Sequence, residues 1–380
     1  MGHDRNETKR AVRSLSKFIQ KLIKEVKPGD KEARKVWRKN NEQLMEKCFW
    51  YKRKNGMPSI TSLVTPFYHP TQKLIGLNYS PVAHLTLHQF SAGWTLPLRL
   101  CRGIIFDYQG NLVAMPFIKF FNYNEHPETR NLPEEPFDAT VKHDGHLGII
   151  FQHNRKLYIT TRGSFVSPSS LLGTSMLKNH SDKNNWPGKF PKDLTVLVEI
   201  IHPNTKVHLN YRRKKEFILI GANNINKLED LVHGELLDLG KLLNLPVTEK
   251  WNGNSLKDLE KLMLNMAVKN REGYVVRFQS GLRVKFKFTT YINLMVEAKL
   301  NYSYLMNRIM SGNLKKMIGN LEEEVYTKAE AMVADLMKVK SLPGSEKEKW
   351  CYLYNLMPKK KQTSSYKAKC RAFSKFLAKN

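Results

Sequence analysis

Cysteine is scarce in this chain. Cys48, Cys101, Cys351 and Cys370 lie far apart with no Cys-x-x-Cys pair, which excludes a zinc knuckle and a disulfide framework and makes a reducing compartment the expectation. No apolar stretch reaches the roughly 18 residues of a membrane span, so no membrane partner is expected. The first residues lack the apolar core of a signal peptide. The chain begins Met-Gly, but Asn6 stands where N-terminal acylation needs Ser or Thr. These absences read as a soluble, intracellular protein, cytoplasmic or nuclear. A Gly-x-x-x-x-Gly-Lys-Ser/Thr loop is missing too, so no P-loop kinase module is attached, and there is no internal repeat or low-complexity segment. Acidic residues are few: 34 Asp and Glu face 63 Lys and Arg, a formal net charge of +29. An excess of that size points to a polyanionic partner, because Lys and Arg gain affinity by displacing counterions from phosphates; a generically basic protein is the alternative.

What is present falls into three textures. Residues 1 to about 45 are strongly basic. Within them Val12, Leu15, Phe18, Ile19, Leu22 and Ile23 recur at helical spacing, which predicts a helix packed on the protein's own body rather than on a membrane surface. Pro28-Gly29-Asp30 ends it, and a second helix with Val36 and Trp37 is expected from Lys31. From about 46 to 295, short runs of Val, Ile, Phe and Tyr separated by Gly, Pro and Asn predict strands. They fall at 103–107 and 111–115, then 147–151, 157–161, 195–201, 217–221, 274–278 and 282–286, with helices at 228–244 and 255–267. Strands in mixed order with few strand–helix–strand alternations predict an α+β fold, a domain of antiparallel sheets flanked by helices. Beyond 296 the texture is helical (Leu294 to Ile309, Leu321 to Val339), with turns at Ser311-Gly312-Asn313 and Pro343-Gly344 and a basic tail carrying Lys359-Lys360-Lys361. The expected division is a basic helical N-terminal extension (1–45), a sheet domain (46–295) and a helical C-terminal domain (296–380).

Four motifs in fixed order carry the chemistry. Lys142 follows the β-like run Ala139-Thr140-Val141 and precedes His143-Asp144-Gly145. A nucleophilic amine must be neutral, so a lysine held between strands, near other cations, is suited to the role. Gly145 removes a side chain where a nucleotide's sugar or phosphate would approach the backbone, and Asp144 would orient the lysine or a sugar hydroxyl. Read alone, the tetrapeptide is equally a β-turn with an exposed lysine. Glu199 interrupts the almost wholly apolar run Thr195 to Ile201, where a carboxylate is costly unless paired or metal-bound. Glu272 precedes Gly273-Tyr274-Val275-Val276 in the same style. Two strand carboxylates facing one site can hold Mg²⁺ against transferring phosphates. Lys285 and Lys287 alternate with Val284, Phe286 and Phe288, so both share one face of a strand, suiting triphosphate binding; an ordinary amphipathic strand has the same pattern. Arg102, Lys119, Phe121 and Arg162 add cations and a ring able to stack. His84 and His88, four apart, are a weak metal pair, with no Glu beside His84 and a strand-like Leu85-Thr86-Leu87 pattern around them.

The ordered set resembles the ATP-dependent RNA ligases, specifically the bacteriophage RNA ligase 1 group. The matching runs are Arg102-Gly103-Ile104-Ile105-Phe106, Lys119 to Glu125, Lys142-His143-Asp144-Gly145, Glu199, Glu272-Gly273-Tyr274-Val275 and Lys285-Phe286-Lys287, with Tyr291 just after, covering roughly 95 to 295. The Lys-Phe-Phe-Asn element at 119–122 is the most group-specific. The resemblance implies that Lys142 attacks the α-phosphate of ATP to form lysyl-AMP. AMP then passes to an RNA 5′-phosphate, and a 3′-hydroxyl displaces it. It further implies that Glu199 and Glu272 serve the metal (Mg²⁺ or Mn²⁺) and ribose, and that Lys285 and Lys287 bind phosphates. Arg102, Lys119, Phe121, Asp144, Gly145, Arg162 and Tyr291 would line the nucleotide pocket. The expected partner is RNA with 5′-phosphate and 3′-hydroxyl ends, tRNA included, in repair or processing. His143 and His146 depart from the family's acidic and small polar residues, and the N-terminal extension is longer than in the phage enzymes. The helical region after 296 differs from the OB domain that DNA ligases and guanylyltransferases append; in this group a helical C-terminal domain helps choose the RNA. Three other readings stay open: the ligase module of a tRNA-splicing enzyme, a capping guanylyltransferase, and a catalytically silent RNA-binding protein.

Overall fold

The computed structural model describes residues 4–87, 93–253, 255–314, 321, 323–357 and 366–378 and divides into two compact units, Met1–Phe288 and Thr289–Asn380. His88 and Lys359-Lys360-Lys361 lie outside the described residues.

The basic opening stretch folds because one face of it is apolar. Helix α1 (Arg5–Glu25) buries Ala11, Leu15, Phe18, Ile19 and Leu22 at three- and four-residue steps and starts from Asp4, whose side chain accepts the Asn6 amide. Asp30 caps α2 (Lys31–Asn40) in the same way, and α3 (Glu42–Cys48) follows. Phe18 packs on Trp37 and Phe49, ring centres 5.9 and 5.0 Å away. These helices share one hydrophobic core with the first sheet.

That sheet consists of β1 (Val64–Tyr68), β2 (Leu74–Tyr79), β3 (Arg102–Asp107) and β4 (Leu112–Ala114), antiparallel and in chain order. Between β2 and β3 stand α4 (Pro81–Thr86) and α5 (Leu96–Leu100). The pattern Leu85-Thr86-Leu87 predicts a strand, but residues 81–86 are helical. Ser80 caps the Ala83 amide and Pro81 occupies the first turn, a start signal stronger than a three-residue alternation.

Next along the chain come β5 (Phe121–Asn122), α6 (Pro127–Arg130), β6 (Phe137–Lys142), β7 (His146–His153) and β8 (Lys156–Thr160). Helices α7 (Pro168–Asn184) and α8 (Trp186–Lys189) precede β9 (Leu194–Ile201), β10 (Glu216–Asn224) and β11 (Glu229–Asp230). Then follow α9 (His233–Leu243), α10 (Leu256–Leu264), β12 (Gly273–Phe278) and β13 (Arg283–Lys287). The second sheet runs β11-β10-β9-β7-β8, wholly antiparallel. The third runs β5-β13-β12-β6, antiparallel except for the β13–β5 pair. The expected α+β class and antiparallel sheets are therefore what the chain builds. Expected strands fall within a few residues of those observed. Residues 229–230, inside the expected helix 228–244, form β11 instead, and β1, β2 and α7 escape the pattern. Helix α7 packs with Leu177 and with Ser169, Gly173 and Ser181, small or polar residues at the same four-residue steps, while Leu171 is exposed.

The second unit is helical: α11 (Thr289–Lys299), α12 (Tyr302–Met310), α13 (Glu323–Ser341), α14 (Glu346–Leu356) and α15 (Tyr366–Ala378). Within it Tyr302 Oη donates to Asp335 Oδ2 at 2.8 Å, and Trp350 packs on Phe373. The 295/296 division expected from sequence falls inside α11. Among the described residues, no helix is long and apolar enough to cross a membrane.

Candidate active site

Sheet register brings three of the sequence motifs side by side. Gly273, the first residue of β12, is paired with Lys142 at the end of β6 and with Lys287 at the end of β13. Glu272, one residue earlier, therefore sits between the two lysines. Its Oε1 lies 2.6 Å from Lys142 Nζ and 3.9 Å from Lys287 Nζ. The neighbouring glycine is required here, because a Cβ on Gly273 would come within 1.9 Å of the Phe286 carbonyl oxygen. Glu272 is 4 % exposed, and burial pushes its carboxyl above the usual range against the pull of Lys142 and Lys287. Its second oxygen, Oε2, is buried with no hydrogen-bond partner among the described residues.

The second sheet delivers Glu199. Leu147 on β7 pairs with Glu199 on β9, and the Gly145 amide donates to Glu199 Oε1 at 2.9 Å. Burial raises the Glu199 carboxyl to about 7; Lys142 opposes the rise and Glu272 adds to it. Lys142 thus contacts Glu272 directly and acts on Glu199, from another sheet, through its charge. On its other flank, His143 Nε2 and Thr248 Oγ1 are 3.2 Å apart, and Thr248 Oγ1 donates to the Val141 carbonyl at 2.9 Å. Burial, with Lys142 and Lys214 adding to it, lowers His143 to about 4, so the residue beside the lysine is neutral near pH 7.

A second cluster is cationic. Arg162 Nη1 donates to Tyr79 Oη at 2.7 Å, the charge of Arg102 acts on the same phenol, and Lys119 Nζ stands 5.4 Å from the Tyr79 ring centre. Burial alone would raise the Tyr79 phenol, but Arg162, Lys119, Arg102 and Lys285 outweigh it and bring it to about 8. Arg102 also feels Glu199, and its Nη1 is buried without a hydrogen-bond partner among the described residues. Lys285 Nζ and Arg102 Cζ both approach the Phe120 ring, at 5.2 and 5.6 Å. Four cations of the sequence set, Arg102, Lys119, Arg162 and Lys285, therefore converge on Tyr79.

Other expected site residues have different surroundings from those their sequence suggested. Phe121, the ring expected to stack in the nucleotide pocket, is fully buried and stacks on His126, ring centres 4.0 Å apart. Lys119 is 2 % exposed and lies over the rings of Trp94 and Phe121 at 4.8 and 4.6 Å. Asp144 is tied to the backbone: its Oδ2 accepts the amides of His208, at 2.7 Å, and Leu209, while its own amide donates to Tyr211 Oη at 2.8 Å. Gly145 is needed for packing, since a Cβ there would meet the Ile200 carbonyl oxygen at 2.5 Å. Tyr291 is buried in α11, in the second unit.

Tyr79, Arg99 and Thr248 are parts of this arrangement that the sequence reading missed. Arg99 is 5 % exposed. It donates through both terminal nitrogens to Glu128, at 2.8 and 3.0 Å, and through Nε to the Lys119 carbonyl at 2.9 Å, fixing the Lys-Phe-Phe-Asn segment. A lone arginine in the apolar run Leu96 to Cys101 was the available signal. Tyr79 carried none, because its partners are remote in sequence.

Glu199 and Glu272 suit a hard divalent cation. Glu272 presents an orphaned buried oxygen, and both carboxylates are buried where a bound cation would offset the cost of their charge. Among the described residues, no group of three or more His, Cys, Asp or Glu is placed to hold a metal ion.

A protein-family model described as RNA ligase matches residues 100–292. A Thermovibrio ammonificans protein named "Putative RNA ligase" is 26% identical over a 205-residue alignment that covers 50% of each chain. Among solved structures, the Naegleria gruberi RNA ligase with PPi aligns over 42% of this chain and 51% of its own, at 18% identity and a TM-score of 0.36. An archaeal ATP-dependent RNA ligase aligns over 63% of this chain and 70% of its own, at 15% identity and a TM-score of 0.42. The chain spans about half the length of the curated relative and of the Naegleria protein.

Proposed function

The chain belongs to the RNA ligase family, and on that premise we propose that it joins RNA ends by ATP-dependent adenylyl transfer through Lys142. The observation that carries the reading is the 2.6 Å contact of Lys142 Nζ with Glu272 at the end of one sheet, with Glu199 entering from another. Lys142 Nζ attacks the α-phosphorus of ATP, a P–N bond forms, and pyrophosphate leaves with the electron pair of the broken P–O bond. The lysine proton passes to Glu272. Lys287, Lys285, Arg102 and Arg162 hold the phosphates and the charge that develops on them. Mg²⁺ or Mn²⁺, held by Glu199 and Glu272, would supply further charge stabilisation at the phosphates.

In the next step an RNA 5′-phosphate oxygen attacks the lysyl-AMP phosphorus, forming a phosphoanhydride and freeing Lys142. A 3′-hydroxyl then attacks the RNA 5′-phosphorus, and AMP leaves. The helical second unit contributes to choosing the RNA. The test is sealing of a nicked RNA stem–loop bearing 5′-phosphate and 3′-hydroxyl, followed by denaturing gel, beside the same junction with a 2′-phosphate. Sealing of the plain junction supports the reading. Sealing only with the 2′-phosphate assigns the chain to the tRNA-splicing type, and no sealing of either by adenylylated protein overturns it.

A further inference from the structure

Helix α1 has seven Lys and Arg against two Glu within Arg5–Glu25, and their placement is ordered. Its buried face is Ala11, Leu15, Phe18, Ile19 and Leu22. On the opposite side Lys9, Arg13, Lys17 and Lys21 follow one another at four-residue steps, with Lys24 closing the row, and all five are exposed. Each four-residue step rises about 6 Å along the axis, and the row is about 22 Å long, a spacing comparable to that of successive phosphates on one nucleic-acid strand. Among the described residues, Lys21 is the one of the five in an ion pair, with Glu25.

Such a row is unfavourable for helix stability, because like charges four apart repel. The helix tolerates it because its apolar face is locked into the core, and because Ser16 Oγ donates to the Gly110 carbonyl at 2.6 Å and Gln20 Nε2 to the Gln109 carbonyl at 2.8 Å. Gln109 and Gly110 form the turn after β3, the strand that begins at Arg102. The row is therefore a rigid cationic edge mounted on the sheet that also carries the candidate phosphate pocket.

We propose that the exposed row Lys9, Arg13, Lys17, Lys21 and Lys24 of α1 binds the sugar–phosphate backbone of the RNA being joined. The proposal rests on the RNA ligase reading for the identity of the polyanion. Charge complementarity selects the occupant: a regular row of mobile cations without stacking rings between them recognises phosphates and not bases.

The experiment compares three full-length proteins: wild type, the variant K9Q/R13Q/K17Q/K24Q, and a matched control, K178Q/K183Q/K189Q/K192Q, which removes the same charge from exposed lysines elsewhere in the unit. A fluorescently labelled RNA stem–loop with a 5′-phosphate is titrated by anisotropy without ATP over a salt series. Self-adenylylation with ATP is measured separately. The expected result is a tenfold or greater loss of affinity in the α1 variant at 0.1 M salt, with the slope of log affinity against log salt reduced by about 3. The control should lose less than threefold, and all three proteins should adenylylate alike. Equal losses in variant and control would overturn the proposal, as would unchanged binding by the α1 variant. Loss of binding to anionic phosphatidylserine vesicles with RNA binding intact would also overturn it. Failure of wild-type self-adenylylation would instead count against the ligase reading and leave the binding comparison readable.

Discussion

Glu272 Oε1 stands 2.6 Å from Lys142 Nζ, and the other Glu272 oxygen is buried without a hydrogen-bond partner among the described residues. One carboxylate thus serves the lysine with one atom and keeps the second for a ligand. Glu272→Gln preserves shape and removes the charge. The expected result is a fall in self-adenylylation rate of about 10²-fold or more with little change in denaturant midpoint. Glu272→Ala should lose activity to a similar extent and stability as well, because it also removes the acceptor facing Lys142 and leaves a cavity at a buried position. Labelled AMP transfer and urea unfolding read the two effects separately.

Glu199 sets a pH dependence. Its carboxyl is raised to about 7, so the folded protein holds a proton there, between about pH 4.5 and 7, that the unfolded chain has released. The sign follows: this residue costs stability as pH rises through that window, and the full cost is present above 7. In EDTA at pH 8, Glu199→Gln should therefore be more stable than wild type, by roughly 1–3 kcal/mol, while losing adenylylation activity. Equal melting midpoints at pH 8 would contradict the account.

Tyr79 is predicted to limit activity at high pH. Its phenol, near 8, becomes an anion among Arg102, Lys119 and Arg162, where it competes with a triphosphate. The wild-type adenylylation rate should fall above pH 8, by up to about tenfold per unit. Tyr79→Phe should hold its rate across the same range. A parallel fall in both proteins would remove the phenol from the explanation.

Asp230 tests the framework under the site. On β11 it pairs with Arg277 of β12 and Arg283 of β13, which joins the second sheet to the third. Burial opposes its ionisation, yet the two guanidiniums hold its carboxyl below the usual range. Asp230→Asn leaves the buried Arg283 short of a counter-charge and should cost about 3–5 kcal/mol, read from chemical denaturation.

How much of this was legible in the sequence depended on the range of the contact. Lys285 and Lys287 were readable because strand alternation is local, and β13 does bury the alternating Val284 and Phe286. Glu199 was readable because a single carboxylate in an apolar strand demands a partner. The partner itself, the Gly145 amide, was not, since it depends on the pairing of β7 with β9. Phe121 misled because its stacking partner His126 is placed by a turn and a capped helix, which hydrophobic periodicity does not report. Helix α7 was hidden because small residues make its buried face. The Tyr79–Arg162 contact, 83 residues apart, left no trace in either local pattern.

The central claim is that Lys142 carries AMP. The measurement is intact mass of the protein after pyrophosphate treatment, to strip any adenylate acquired during expression, and then after incubation with Mg²⁺ and ATP, beside Lys142→Ala. The account predicts a gain equal to one AMP in the wild type and none in the variant. A wild type that gains nothing, or a variant that gains as much, would contradict it.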